Sequence, residues 1–280
     1  MKKILMVILT ACFIYTGVFA QDTLYVKADG NNNNSGTSET EPLKTLSMAF
    51  RNARQNKINK ITVIGMLDVK SEGIIEGRSA VFNFIGSEND TGEILITGKI
   101  NARENEKAIL SAADSNLMPV LGQNVKIRFE HIEISGSSSE SNGVGLFIYK
   151  GMEVTLGPGS TVKGNTSFGV FIASDGILNI DGGEVRENFF TGITVTSGGV
   201  LNMTSGAVTE NTAMNVAAAG VYINTGGRFT ITGGSITKNK ANKGIGGVYV
   251  SKGAVFNRKG GNITLNSGIT GRDPNIYHAR

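Results

Sequence analysis

Residues 169–188 read GVFIASDGILNIDGGEVREN. The layout returns as GITVTSGGVLNMTSGAVTEN at 192–211, GVYINTGGRFTITGGSITKN at 220–239 and GVYVSKGAVFNRKGGNITLN at 247–266, with a looser copy at 145–165. Each copy opens on a glycine (Gly145, Gly169, Gly192, Gly220, Gly247) and closes on an asparagine (Asn165, Asn188, Asn211, Asn239, Asn266). The asparagines are 23, 23, 28 and 27 residues apart, the glycines 24, 23, 28 and 27. A sustained period in the range of roughly 20–50 residues marks a solenoid.

Apolar and polar residues alternate inside each copy, as in strands with one buried face. The first run places Leu146/Ile148, Val170/Ile172, Ile193/Val195, Val221/Ile223 and Val248/Val250 inward. The second gives Val154/Leu156, Leu178/Ile180, Leu201/Met203 and Phe229/Ile231, and the third one aliphatic each: Val162, Val185, Val208, Ile236, Ile263. No copy holds a glycine-free stretch with helical spacing, which disfavours helix-pair and strand–helix repeats. Three short strands per turn between glycine bends predict an all-β fold, a parallel β-helix. Like positions then stack ~4.8 Å apart, with an asparagine ladder at one corner.

The pattern G-V-x-V … G-x-L-x-I-x-G-G-x-V-x-x-N resembles the single-stranded, right-handed parallel β-helix repeats of the pectate-lyase-like superfamily, over about 58–270, with clear motifs from Val125 onward. The resemblance implies the right hand of the coil and a history of acidic-polysaccharide cleavage or glycoside hydrolysis on this fold. It does not fix chemistry. The polygalacturonase-like motifs (Asn-Thr-Asp, Asp-Asp, Gly-His-Gly, Arg-x-Lys) and the Trp-x-Asp-His of pectate lyases do not occur.

Outward from the repeats, four segments are expected: a signal peptide at 1–20, an N-terminal strand–loop–helix cap at 21–57, the β-helix at 58–270 and a C-terminal tail at 271–280. Lys2 and Lys3, an apolar run from Ile4 and Val18-Phe19-Ala20 form an export leader cleaved after Ala20. A lipoprotein box ending at Cys12 is the alternative. The expected location is therefore extracellular, cell-surface or periplasmic. Cleavage after Ala20 removes the one cysteine and two of 27 basic residues, taking the formal charge from +4 to +2. Nothing in that balance calls for a nucleic-acid partner, and past the leader no run of ~18 apolar residues predicts a spanning helix. In the cap, Leu24-Tyr25-Val26 reads as a strand, GNNNNSG at 30–36 as a loop, and Thr45 as the N-cap of a helix burying Leu46, Ala49, Phe50 and Ala53. The order Tyr25-Val26 … Gly36-Thr37 … Pro42-x-Lys44-Thr45-Leu46 is similar to the opening of bacterial exported β-helix proteins. Calcium is the one cofactor considered, at the asparagine loop, where Asp29 is the sole nearby carboxylate. Residues 58–124 read as irregular turns with strands near Ile61/Val63, Ile74–Ile75, Val81–Ile85, Ile94–Ile96, Ala108–Leu110 and Val120–Leu121.

Two candidate sites emerge. Glu187 and Glu210 precede successive ladder asparagines, with Arg186 beside them. Carboxylates on neighbouring turns can reach the ~5–10 Å separation of a glycosidase pair, but an ordinary solvated face, with Lys238 one turn later moderating their repulsion, is the favoured reading of the same residues. Phe147, Phe171, Tyr222 and Tyr249, with Thr194 among them, occupy the outward position of the first strand and predict an aromatic ridge. Such a ridge suits sugar rings or a partner protein. The longer steps put extra residues at 212–219 and 240–246, on one edge of that ridge, and 136–144 is a similar expansion. The favoured reading is a non-catalytic binder of polysaccharide or a surface protein. A polysaccharide lyase or glycoside hydrolase and a structural surface spacer are the alternatives.

Overall fold

The computed structural model describes residues 23–68, 93–99, 108–111, 125–135, 144–269 and 271–280. The leader, the strands expected at 74–75, 81–85 and 120–121, and residues 136–143 lie outside the described residues.

The repeat copies are stacked turns of a parallel β-solenoid. In the copy at 169–188 the strands are Phe168–Ile172, Ile177–Ile180 and Glu184–Arg186. Each joins a different sheet of like strands from neighbouring turns. Among the described residues these sheets hold nine strands (the long sheet, ending at Val255–Arg258), eight (the corner sheet, ending at Asn262–Thr264) and six (the aromatic sheet). Registers follow the sequence period: Val170 pairs with Ile193, Leu178 with Leu201 and Val185 with Val208, and so on up the stack. Every inward aliphatic named above is buried. Burying each Val, Leu or Ile contributes ~1.5–3 kcal/mol against the entropy of ordering the turn. The core therefore grows by the same amount with every turn added.

The asparagines form a continuous ladder. The backbone N–H and side-chain amide of Asn165 both donate to Asn188 Oδ1, at 3.1 and 2.8 Å. Asn188 repeats this onto Asn211, Asn211 onto Asn239, and Asn239 onto Asn266. Two local features make room for it. The residue before each asparagine (Gly164, Glu187, Glu210, Lys238, Leu265) has φ between 55° and 65°, a left-handed bend that turns the asparagine inward. The opening glycine lies against the ladder, and a Cβ on Gly169 would sit 2.6 Å from Asn188 Nδ2. The two invariant letters of the repeat are thus one contact.

The helix forms at Leu46–Gln55, with Thr45 Oγ1 accepting from the Met48 N–H and Leu46, Ala49, Phe50 and Ala53 buried. It packs on the strands Leu24–Lys27 and Lys60–Ile64, at one end of the long sheet. Strands at Lys60–Ile64, Glu93–Lys99 and Ala108–Ser111 match those expected in the irregular region. The expanded segments also order: Thr212–Ala213 pairs in parallel with Lys240–Ala241, and Ala213, Ala219 and Ala241 make a small core of their own. The expected tail supplies a strand, Ile276–His278, which pairs with Val248–Val250 and extends the aromatic sheet. Arg258 lies in register with Ile231 and is exposed, so the aliphatic column of the long sheet stops there.

Candidate binding face

The aromatic sheet turns one side chain per strand outward, since its neighbours on either side point into the core. Phe147, Phe171, Thr194, Tyr222 and Tyr249 lie in register up this column, as alternation predicted, and Tyr277 extends it by one further rung. The rings are half-buried, because they lean on one another. Phe147 and Phe171 stack with centroids 5.0 Å apart, Tyr222 and Tyr249 lie 5.6 Å apart, and Tyr249 and Tyr277 5.3 Å. The Arg272 guanidinium covers the Tyr277 ring at 4.4 Å.

Three further rings broaden the lower part of the column. Tyr149 stacks on Phe147 at 6.1 Å, while Phe168 meets both Phe171 (5.3 Å) and Phe190 (5.0 Å) edge to face. Phe168 opens its strand and Phe190 stands in the bend before the next one; in the following turns the extra residues 212–219 and 240–246 lie at that edge. Phe189 and Met214 are exposed beside them. The outer face is thus an aromatic surface in two blocks, separated at Thr194.

The candidate acidic pair has a different setting. Glu187 and Glu210 are on adjacent turns, each on the left-handed residue of its bend. Arg186 pairs with Glu187 and also with Glu184 at 3.3 Å, while Lys238 pairs with Glu210 at 3.6 Å. Each carboxylate has its own cation and both are exposed.

A third charged group, not expected from the sequence, spans turns of the long sheet. Arg128 donates to Glu130 at 2.6 Å and to Asp181 at 3.2 Å, and Thr204 donates to Asp181 at 3.1 Å. The Thr204 hydroxyl, and then Arg128, hold the Asp181 carboxyl below the usual carboxylate range. The cluster ties the turns of Arg128, Asp181 and Thr204 together.

In the asparagine-rich loop, Asn32 Oδ1 accepts from the Lys44 and Thr45 N–H groups, Asn31 Oδ1 accepts from the Asn33 N–H, and Asp29 pairs with Lys27. Among the described residues no three His, Cys, Asp or Glu side chains cluster as metal ligands, and no helix is long and apolar enough to cross a membrane.

Fold and face together define a parallel β-solenoid carrying an aromatic surface on one sheet. Comparison with family models, curated proteins and solved structures gives no match to the chain.

Proposed function

We propose that this chain is an exported, non-catalytic right-handed β-helix protein, of the pectate-lyase-like kind, that binds a glycan or a protein partner along its aromatic sheet. The observation that carries the reading is the in-register outward column of Phe147, Phe171, Tyr222 and Tyr249. Rings so aligned present a continuous apolar edge at a rung spacing of ~4.8 Å, close to the length of one sugar ring in a chain. Monomeric proteins rarely turn so many rings to water without a use for them. The extra bends stand beside the column, folded on their own small core of Ala213, Ala219 and Ala241. The hydrolase or lyase reading draws less support, because Glu187 and Glu210 are each matched to a cation on a bend whose backbone serves the ladder.

Binding is measured on a glycan array with the wild-type chain and with the double variant Tyr222→Ala/Tyr249→Ala. Each ring contributes ~0.5–1.5 kcal/mol of stacking, so affinity for the array hit falls roughly tenfold or more. Equal binding by the two proteins dismisses the column as the contact surface.

A further inference from the structure

Of the six outward positions of the aromatic sheet, Thr194 is the one without a ring. It lies between Phe171 and Tyr222, whose backbones are about two rungs, ~9.6 Å, apart. That interval is one ring short of a complete column, and the surrounding side chains close over the gap. Thr194 is only 4 % exposed, and its hydroxyl is closed to solvent with no hydrogen-bond partner. Neighbouring threonines fare differently: Thr191 Oγ1 donates to the Ala218 carbonyl at 2.8 Å and Thr196 Oγ1 to that of Ile172 at 3.0 Å.

A buried, unpaired hydroxyl is rare in a native fold and destabilises it. Valine has the same shape and at least equal strand preference, so folding alone gives no reason for threonine here. Binding gives one. A site that hydrogen-bonds a ligand hydroxyl holds a polar group unpaired until the ligand arrives, and discriminates sharply against ligands without it.

We propose that Thr194 is the floor of a ring-sized subsite that takes one pyranose ring of a glycan chain lying along the column. This rests on the reading of the aromatic sheet as the binding face. Phe171 and Tyr222 are the walls, turning between rotamers to admit the ring. Thr194 Oγ1 exchanges a hydrogen bond with a sugar hydroxyl. A pyranose fits because it has apolar faces for the walls and hydroxyls at its rim for the floor. An apolar peptide side chain would leave the Thr194 hydroxyl as unpaired as before.

The test uses the full chain and fluorescently labelled oligosaccharides derived from cellulose, mannan, xylan and starch, with Tm recorded for every variant. Thr194→Val should keep or raise Tm while weakening the tightest of these ligands about tenfold. Thr194→Ser, which retains the hydroxyl, should stay within about threefold of wild type. Thr194→Phe, which fills the slot and completes the row, should bind worst. If Thr194→Val binds as wild type does while Tyr222→Ala/Tyr249→Ala loses binding, the subsite is overturned and the column stands. If the wild-type chain binds none of the four sugars, the subsite and the glycan form of the binding reading fall together.

Discussion

Asn211 shows how much one side chain does in this coil. Its Oδ1 takes two donors from Asn188, while its amide donates to Asn239 Oδ1 and to the carbonyls of Val185 and Thr209. It is fully buried, so none of these groups has water as a substitute. Asn211→Ala leaves the buried Asn188 N–H without a partner, costing ~1–3 kcal/mol, and removes the three bonds that the Asn211 amide donates. We expect a loss of about 2–4 kcal/mol in urea unfolding; a loss below roughly 1 kcal/mol would mean that water reaches the corner after all. The same geometry explains why glutamate and lysine stand in a left-handed bend before the asparagine. The backbone must turn there, and a long charged side chain keeps its head in solvent.

The extra bends behave as an element of their own. Thr212 pairs with Lys240 and Ala213 with Ala241, and the Ala218 carbonyl accepts from Thr191 on the turn before. Their stability is shared, since Ala213, Ala219 and Ala241 from the two bends make one small core. Ala213→Ser and Ala241→Ser should each destabilise, and a double-mutant cycle should show a coupling of ~0.5–3 kcal/mol. Additive effects would show that the two bends order independently. The extra residues were legible in the sequence as longer steps of the period, and their position on the edge of the aromatic sheet followed from counting. That they would pair was not, because two-residue strands of alanine, threonine and lysine carry no periodic signal. The helix was the opposite case, since Thr45 and the spacing of Leu46, Ala49, Phe50 and Ala53 state its start and its buried face outright.

At the scale of the whole molecule, what could be read was whatever repeats. Inward columns, ladder and outward rings all follow from the period. Arg128 meeting Asp181 could not be read, because a long side chain reaching past a turn depends on rotamers rather than spacing. Asn275 escaped for a different reason. It stands only nine residues after Asn266, yet its Oδ1 accepts from both amides of Asn266 and so ends the ladder off the period. The faint cue was Ile276-Tyr277-His278, which repeats the apolar-Tyr step of Val248-Tyr249-Val250. A solenoid is a chain of neighbouring contacts, so loss of this terminal rung should stay local. In Asn275→Ala, amide exchange should quicken at Asn266 and Ile276–His278, fade by Asn239, and leave Asn165 and Asn188 as protected as in wild type. Uniform loss of protection from one end to the other would mean that the coil unfolds as a single cooperative block. In that case turns could not be treated as additive units, and substitutions on the aromatic sheet would have to be judged against global stability before any binding effect was assigned to them.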